Sequence, residues 1–240
     1  MSGGASLPVA KRASDAAGEA AGVTDHARQR ADMVRRQLAA RGIADEHVLR
    51  AMSEVPRHLF VPGDLREAAY DDRPLPIGEG QTISQPYIVA RMIEAAQIRP
   101  GGTVLEVGAG SGYAAAVLSQ IAAQVFAIER HEGLARMAVQ RLADLGYANC
   151  RIISGDGSLG LPDEEPFDAI LVAAGGDHAP EPLKRQLAIG GRLIIPVGGE
   201  DVQQLCRITR ISPDEWEEAD LGSVRFVPLI GAHGRWDEEN

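Results

Sequence analysis

Cysteine is nearly absent: the 240-residue chain has two, Cys150 and Cys206, and neither sits in a CxxC pair. A disulfide framework and a structural zinc site are therefore not expected. The six histidines never fall at i, i+4, so no metal is expected on that account either. Positive charge is short as well. Twenty-four Lys and Arg face 34 Asp and Glu, for a formal net charge of −10. Such a surface repels phosphate backbones, and no basic patch exceeds Arg35-Arg36, so nucleic acid is not an expected partner. Long apolar runs are missing too. None approaches the roughly 18 residues of a membrane helix, and the N-terminus lacks the apolar core of a signal peptide. The expectation is a cytoplasmic protein that does not engage membrane. What is present suits a packed core: 45% hydrophobic and 24% charged residues, in a length that allows one sizeable α/β domain.

Residues 1–24 are rich in Ala, Gly and Ser without sustained period, and read as a disordered extension. A transit peptide fits less well, because Asp15 and Glu19 interrupt the segment. From residue 25 to 232 the pattern supports a single domain, followed by a tail over 233–240. Met33 and Leu38, then Val48, Leu49, Met52 and Val55, are spaced for two short amphipathic helices, with Gly42 between them and Asp45 as a cap. Residues 74–86 are rich in turn formers, and Pro86 suits the first turn of a helix. Ile88, Val89, Met92, Ile93 and Ala96 give that helix an apolar face.

Beyond Pro100-Gly101-Gly102 the chain alternates. Strands are expected at 103–107, 124–128, 151–154, 167–172 and 192–197, with helices at 114–121 and 132–145 among them. Alternation means βαβ units: an α/β fold with a mostly parallel central sheet and helices on both faces. Strands expected at 203–211 and 224–229 have no helix between them, so the C-terminal finish should be antiparallel. The strand order does not follow from the pattern.

The loop Glu106-Val107-Gly108-Ala109-Gly110-Ser111-Gly112 ends the first strand of this region, and a helix follows. Glycines there let backbone approach a ligand, and the helix start offers free N–H groups. A dinucleotide loop would read GxGxxG. Here Tyr113 stands where the third glycine would fall, and Glu106 precedes the first by two. This ExGxGxG pattern resembles the first motif of the Rossmann-like S-adenosylmethionine (SAM) methyltransferases. Glu129, ending the second strand with Arg130 beside it, is placed to accept ribose hydroxyls. Asp156, with Gly157, is placed for the adenine amino group. Each feature has a plain alternative: a tight turn, a solvated strand end, a turn former in Gly155-Asp156-Gly157. Their joint order at strand ends favours SAM over NAD.

The segment Pro76-Ile77-Gly78-Glu79-Gly80-Gln81-Thr82-Ile83-Ser84-Gln85-Pro86-Tyr87 closely resembles the hallmark of protein-L-isoaspartate O-methyltransferases. Blocks at 55–62, 69–72, 187–198 and 224–229 resemble the family too, so the likeness runs from about 33 to 229. It implies a repair enzyme without metal that methylates the α-carboxylate of L-isoaspartyl residues in damaged proteins and peptides; a monomer is expected. It assigns the 25–98 part to the acceptor and 99–232 to the SAM-binding sheet. It implies Ser84 as the active-site residue, with Thr82, Ile83, Gln85, Pro86 and Val227 framing the acceptor. From local sequence alone, Ser84 reads first as a helix N-cap, a preference the surrounding block reverses, and Val227 and Pro228 read first as core. The chain departs from the family in the loop Ala173-Ala174-Gly175-Gly176-Asp177-His178, where alanines followed by prolines are usual. Two glycines there are expected to loosen the wall beside SAM. His178 reads as a surface residue rather than a base. A methyltransferase for small molecules and a non-catalytic SAM-fold module remain as alternatives.

Overall fold

The structure, a computed structural model, describes residues 25–199 and 201–235. The expected extension over 1–24 and the last five residues of the expected tail lie outside them. Helix α1, described over 25–33, passes into a wider turn at Val34–Leu38 and a tight turn at Ala39–Arg41. Gly42 then ends the run with φ of 95°. In α2 (Glu46–Glu54) the Asp45 carboxylate accepts from the His47 and Val48 N–H groups, the capping anticipated from sequence. Helix α3 (Pro86–Ala96) opens on Pro86 and buries Val89, Met92, Ile93 and Ala96.

Before α3 the turn-rich stretch folds into a small antiparallel hairpin, β1 (Leu75–Gly78) and β2 (Gln81–Ile83). Composition hid it. Its reversal uses Glu79 and Gly80 at φ of 50° and 66°, so turn formers occupy much of so short a ribbon.

The main sheet has seven strands: β3 (Thr103–Val107), β4 (Gln124–Glu129), β5 (Cys150–Ser154), β6 (Phe167–Val172), β7 (Leu187–Gly198), β8 (Gln203–Ser212) and β9 (Glu215–Val224). Their order is β5-β4-β3-β6-β7-β8-β9. The first five are parallel, and β8 and β9 close the sheet antiparallel. Helix α4 (Tyr113–Ser119) follows β3, α5 (Glu132–Asp144) follows β4, and the short α6 (Glu181–Arg185) precedes β7. One apolar cluster lies under α2 to α5, including Val104, Val117, Leu134 and Ile93. A second, with Leu105, Phe167, Leu183 and Ile195, fills the opposite face.

Two expectations need correction. The last strand is not 224–229 but β9, ending at Val224; residues 225–229 make only a single bridge, Pro228 to Gly175. Strand β9 was hidden because Glu215, Glu217, Glu218 and Asp220 give it no apolar face. An edge strand pairs on one side only and tolerates such charge. Strand β7 also begins five residues before the expected 192. Gly190 and Gly191 read as a break, yet pairing continues across them through an irregular register from Phe167–Leu187 to Ala169–Arg192.

Candidate active site

The order of the sheet reverses beside β3, and the crevice beyond its strand ends is where open α/β sheets bind ligands. A cavity of about 590 Å³ lies there. Its floor is the loop after β3. Gly108, Gly110 and Gly112 have φ of 90°, 53° and 84°, a region that side chains disfavour. The Ile128 carbonyl accepts from both Gly108 N–H and Ala109 N–H, at 2.8 and 3.1 Å. Arg141 of α5 reaches the Ser111 carbonyl at 2.7 Å. Ala109 and Ser111 are buried, and the loop is held from both sides.

Two buried carboxyl groups stand behind it. Glu129 accepts from Gly110 N–H at 2.8 Å and from His131 N–H at 2.9 Å, so it braces the loop as well as facing the cavity. Each of its oxygens retains a lone pair for a further donor. Glu106 is 3% exposed, lines the cavity, and leaves Oε2 without a hydrogen-bond partner. Burial, then the neighbouring Glu129 charge, pushes its pKa well above the usual carboxyl range. Arg130, His131 and Gly157 also line the cavity.

Asp156 is not among the residues lining the cavity, though Gly157 next to it is, and its carboxylate is already engaged. Its Oδ1 accepts from the Ser158 N–H and hydroxyl, at 2.8 and 2.7 Å, and its Oδ2 from Ala232 N–H at 2.7 Å. Burial alone would raise its pKa; the hydrogen bonds from Ala232 and Ser158 outweigh that and hold it below the ordinary value. The contact with Ala232 was not legible from sequence, because 76 residues separate the partners and no motif marks either end.

The opposite wall comes from the hairpin and α3. Ile77 of β1 roofs the glycine loop: a Cβ on Gly110 would come within 3.1 Å of its Cδ1. Thr82, Ile83, Ser84 and Gln85 line the cavity with Ile88 and Val89. Pro86 is buried at the helix start and is not among the lining residues. The N-cap of α3 is Gln85, not Ser84. Ser84 is half-buried, and among the described residues its hydroxyl has no hydrogen-bond partner. The capping alternative for Ser84 is thereby removed. Val227 lines the third wall with Phe226, Leu229 and Ile230, residues sequence reading had not singled out beyond Val227 itself.

The departing loop behaves opposite to expectation. Gly175 and Gly176 are buried and bonded on both sides. Gly175 N–H reaches the Val227 carbonyl and the Gly175 carbonyl accepts from Leu229 N–H, both at 2.7 Å. Gly176 N–H reaches the Pro196 carbonyl at 3.1 Å, and Gly198 N–H the Gly176 carbonyl at 2.9 Å. The glycines tighten this wall by letting two backbones approach. His178 is exposed and outside the cavity lining, as expected.

Comparison with known proteins agrees with this geometry. The family model described as Protein-L-isoaspartate(D-aspartate) O-methyltransferase (PCMT) matches residues 28–234. A Protein-L-isoaspartate O-methyltransferase 1 of Rhodopseudomonas palustris (strain HaA2) is 58% identical over 212 residues, 88% of this chain and 86% of the relative. One from Methylorubrum populi is also 58% identical, over 88% of this chain and 99% of the relative. Among solved structures, a protein-L-isoaspartate O-methyltransferase superposes with TM-score 0.77 at 29% identity, covering 85% of this chain and 67% of the other. A protein of the same kind from Plasmodium falciparum, solved with S-adenosyl-L-homocysteine, gives 0.73 at 28%, covering 84% and 98%. With the glycine loop, the Ser84 wall and the seven-strand sheet all inside the matched span, the chain belongs to the protein-L-isoaspartate(D-aspartate) O-methyltransferase family.

Proposed function

We propose that this chain transfers the methyl group of SAM to the α-carboxylate of L-isoaspartyl residues in damaged proteins and peptides. The observation that carries the reading is Ser84: a hydroxyl without an internal partner, on the wall facing the glycine loop across one cavity. The residues fit SAM. The unpartnered Oε2 of Glu106 suits a positively charged group, and the spare lone pairs of Glu129 suit paired hydroxyls. Gly108 to Gly112, with Arg130, Asp156 and Gly157, complete that half. When bound, SAM supplies a methyl already activated on a positive sulfur.

The chain's own task is then to place an anion in line and keep water away. An acceptor carboxylate has a pKa of about 4, so it is ionised at neutral pH and needs no general base. Tyr87 and Ile88, in the first turn of α3, have N–H groups without helical acceptors, and this end of the helix is electropositive. Ser84 hydroxyl and these groups hold the carboxylate. Thr82, Ile83, Gln85 and Val227 frame it, Ile88, Val89 and Leu229 give the cavity apolar walls, and Pro86 stands buried behind them at the start of α3.

The rest of the reading follows from charge and continuity. Acceptors are proteins and peptides, not nucleic acid, because the chain carries net charge −10. No helix among the described residues is long and apolar enough to cross a membrane. We read 25–232 as one domain acting as a monomer in the cytoplasm; a mass measured in solution checks the monomer. The functional test is Ser84→Ala. It should lower kcat while leaving SAM affinity within about twofold, since a hydrogen bond to a charged group carries most of its value at the acceptor. Equal loss of both, or loss of neither, removes Ser84 from this role.

A further inference from the structure

Residues 229–235, at the end of the described chain, fold back on themselves. Arg235 N–H donates to the Leu229 carbonyl at 2.7 Å, and Gly231 N–H to the Arg235 carbonyl at 3.2 Å. The closed loop so formed lies on Asp156 and Ser158. Ala232 N–H holds Asp156 Oδ2, and His233 N–H donates to the Ser158 hydroxyl oxygen at 3.0 Å. The approach is close enough that a Cβ on Gly231 would fall 2.0 Å from Asp156 Oδ1. The loop is closed from outside by Arg235. Its Nε and Nη2 both donate to Asp177 Oδ1, at 3.2 and 2.7 Å, and Nη2 also reaches the Gly198 carbonyl at 3.0 Å. Asp177 belongs to the departing loop, directly after Gly175, which bonds to the 227–229 backbone, and Gly176, which bonds to Pro196 and Gly198 of β7. The departure thus has a structural meaning: it docks residues 229–235.

We propose that Arg235 is a positioning residue for cofactor binding, clasped by Asp177 so that Ala232 N–H fixes the Asp156 carboxylate toward the adenine amino group. The inference rests on the reading above that this cavity takes SAM with its adenine at Asp156. A carboxylate offers about four acceptor positions. Ser158 and Ala232 use three of them. One remains, and its direction is set by the other three. Without the clasp the carboxylate keeps its bonds to Ser158 but loses the one that aims Oδ2. Asp177 is largely exposed, 67% on its side chain, so the charge attraction alone contributes little. The effect of Arg235 comes from losing its guanidinium bonds to Asp177 and to the Gly198 carbonyl together.

The test measures affinity for S-adenosylhomocysteine and for its deaminated analogue, in which a 6-oxo group replaces the adenine amino group. The 6-oxo group offers Asp156 an acceptor instead of a donor. The full-length wild type should prefer the amino form about tenfold or more, as sites built to hydrogen-bond a donor do. Arg235→Ala should weaken the amino form roughly five- to tenfold and the analogue less than twofold, with KM for SAM rising more than kcat falls. Asp177→Asn should show the same pattern, weaker. Gly231→Ala should reproduce it without touching the ion pair, by displacing Asp156 directly. Equal loss on both ligands in Arg235→Ala overturns the inference, because a merely structural role weakens both. Retained wild-type discrimination overturns it too. A wild type that methylates an isoaspartyl peptide yet shows no preference for the amino form also overturns it, while leaving the functional reading intact. A wild type that neither binds S-adenosylhomocysteine nor methylates overturns the functional reading itself.

Discussion

The two walls of the cavity are built on opposite principles. On the glycine-loop side most polar groups are already spoken for, Glu106 Oε2 being an exception. Gly108, Ala109 and Gly110 donate into β4, Arg141 holds Ser111, and Glu129 receives two backbone N–H groups. On the hairpin side the key hydroxyl, on Ser84, has no hydrogen-bond partner among the described residues, and the first turn of α3 leaves N–H groups open. A braced wall keeps one shape for one invariant ligand, and a wall with open donors waits for an acceptor that varies from protein to protein. The difference teaches where each kind of specificity resides. On the proposed reading, the sheet end recognises the cofactor and the segment before the sheet chooses what is methylated.

Breaking the braced wall should have the largest effect. Glu129→Ala removes two charge-assisted hydrogen bonds that fix the loop and, with them, the proposed acceptor for the ribose hydroxyls. SAM affinity, measured by calorimetry, should fall on the order of 100-fold. A fall of only a few-fold would mean the loop is held elsewhere. Breaking the open wall should look different. In Ser84→Ala, kcat should drop on the order of 10- to 100-fold in steady-state assays with an isoaspartyl peptide, with SAM affinity nearly unchanged. If affinity fell as far as kcat, the division between the walls would be false.

Glu106 sharpens the comparison through pH. Its folded pKa is raised, so the buried group keeps its proton where the unfolded chain has released it. That linkage is absent below the unfolded pKa, near 4, and costs stability increasingly as pH rises through the interval up to the folded value. Glu106→Gln should therefore raise the Tm of the ligand-free protein by about 2–5 °C at neutral pH. The gain should vanish toward pH 4 in thermal melts taken across that range. A pH-independent gain would assign the effect to packing instead. The smallest effect is expected outside both walls. His178 is exposed and off the cavity, so His178→Ala should keep kcat within about twofold between pH 6 and 8, the window in which a histidine base would titrate. A lost pH limb would make it a base after all.

What sequence could show depended on how local the cause was. Strand β6 and the starts of β3 and α5 were legible because apolar periodicity and glycine breaks act within a few residues. The glycine loop was legible because three positive-φ positions demand glycine. The β1–β2 hairpin was not, since its turn residues outnumber its strand signal. Strand β9 was not, since pairing to β8 overrides its acidic composition. At the site, the candidate residues from Thr82 to Gln85 and from Glu106 to Ser111 do meet around one cavity. Gly112 stands just behind, as the N-cap of α4. The engagement of Asp156 by Ala232 stayed hidden because it depends on a chain reversal with no local signature.

The central claim is that the open wall selects an isoaspartyl carboxylate. Labelled-methyl transfer from SAM to an isoaspartyl peptide, run beside the same peptide with a normal aspartyl residue, tests it most directly. The account predicts base-labile incorporation into the isoaspartyl peptide and none above background into its aspartyl twin. Equal incorporation into both, or none into either while SAM still binds, would contradict it.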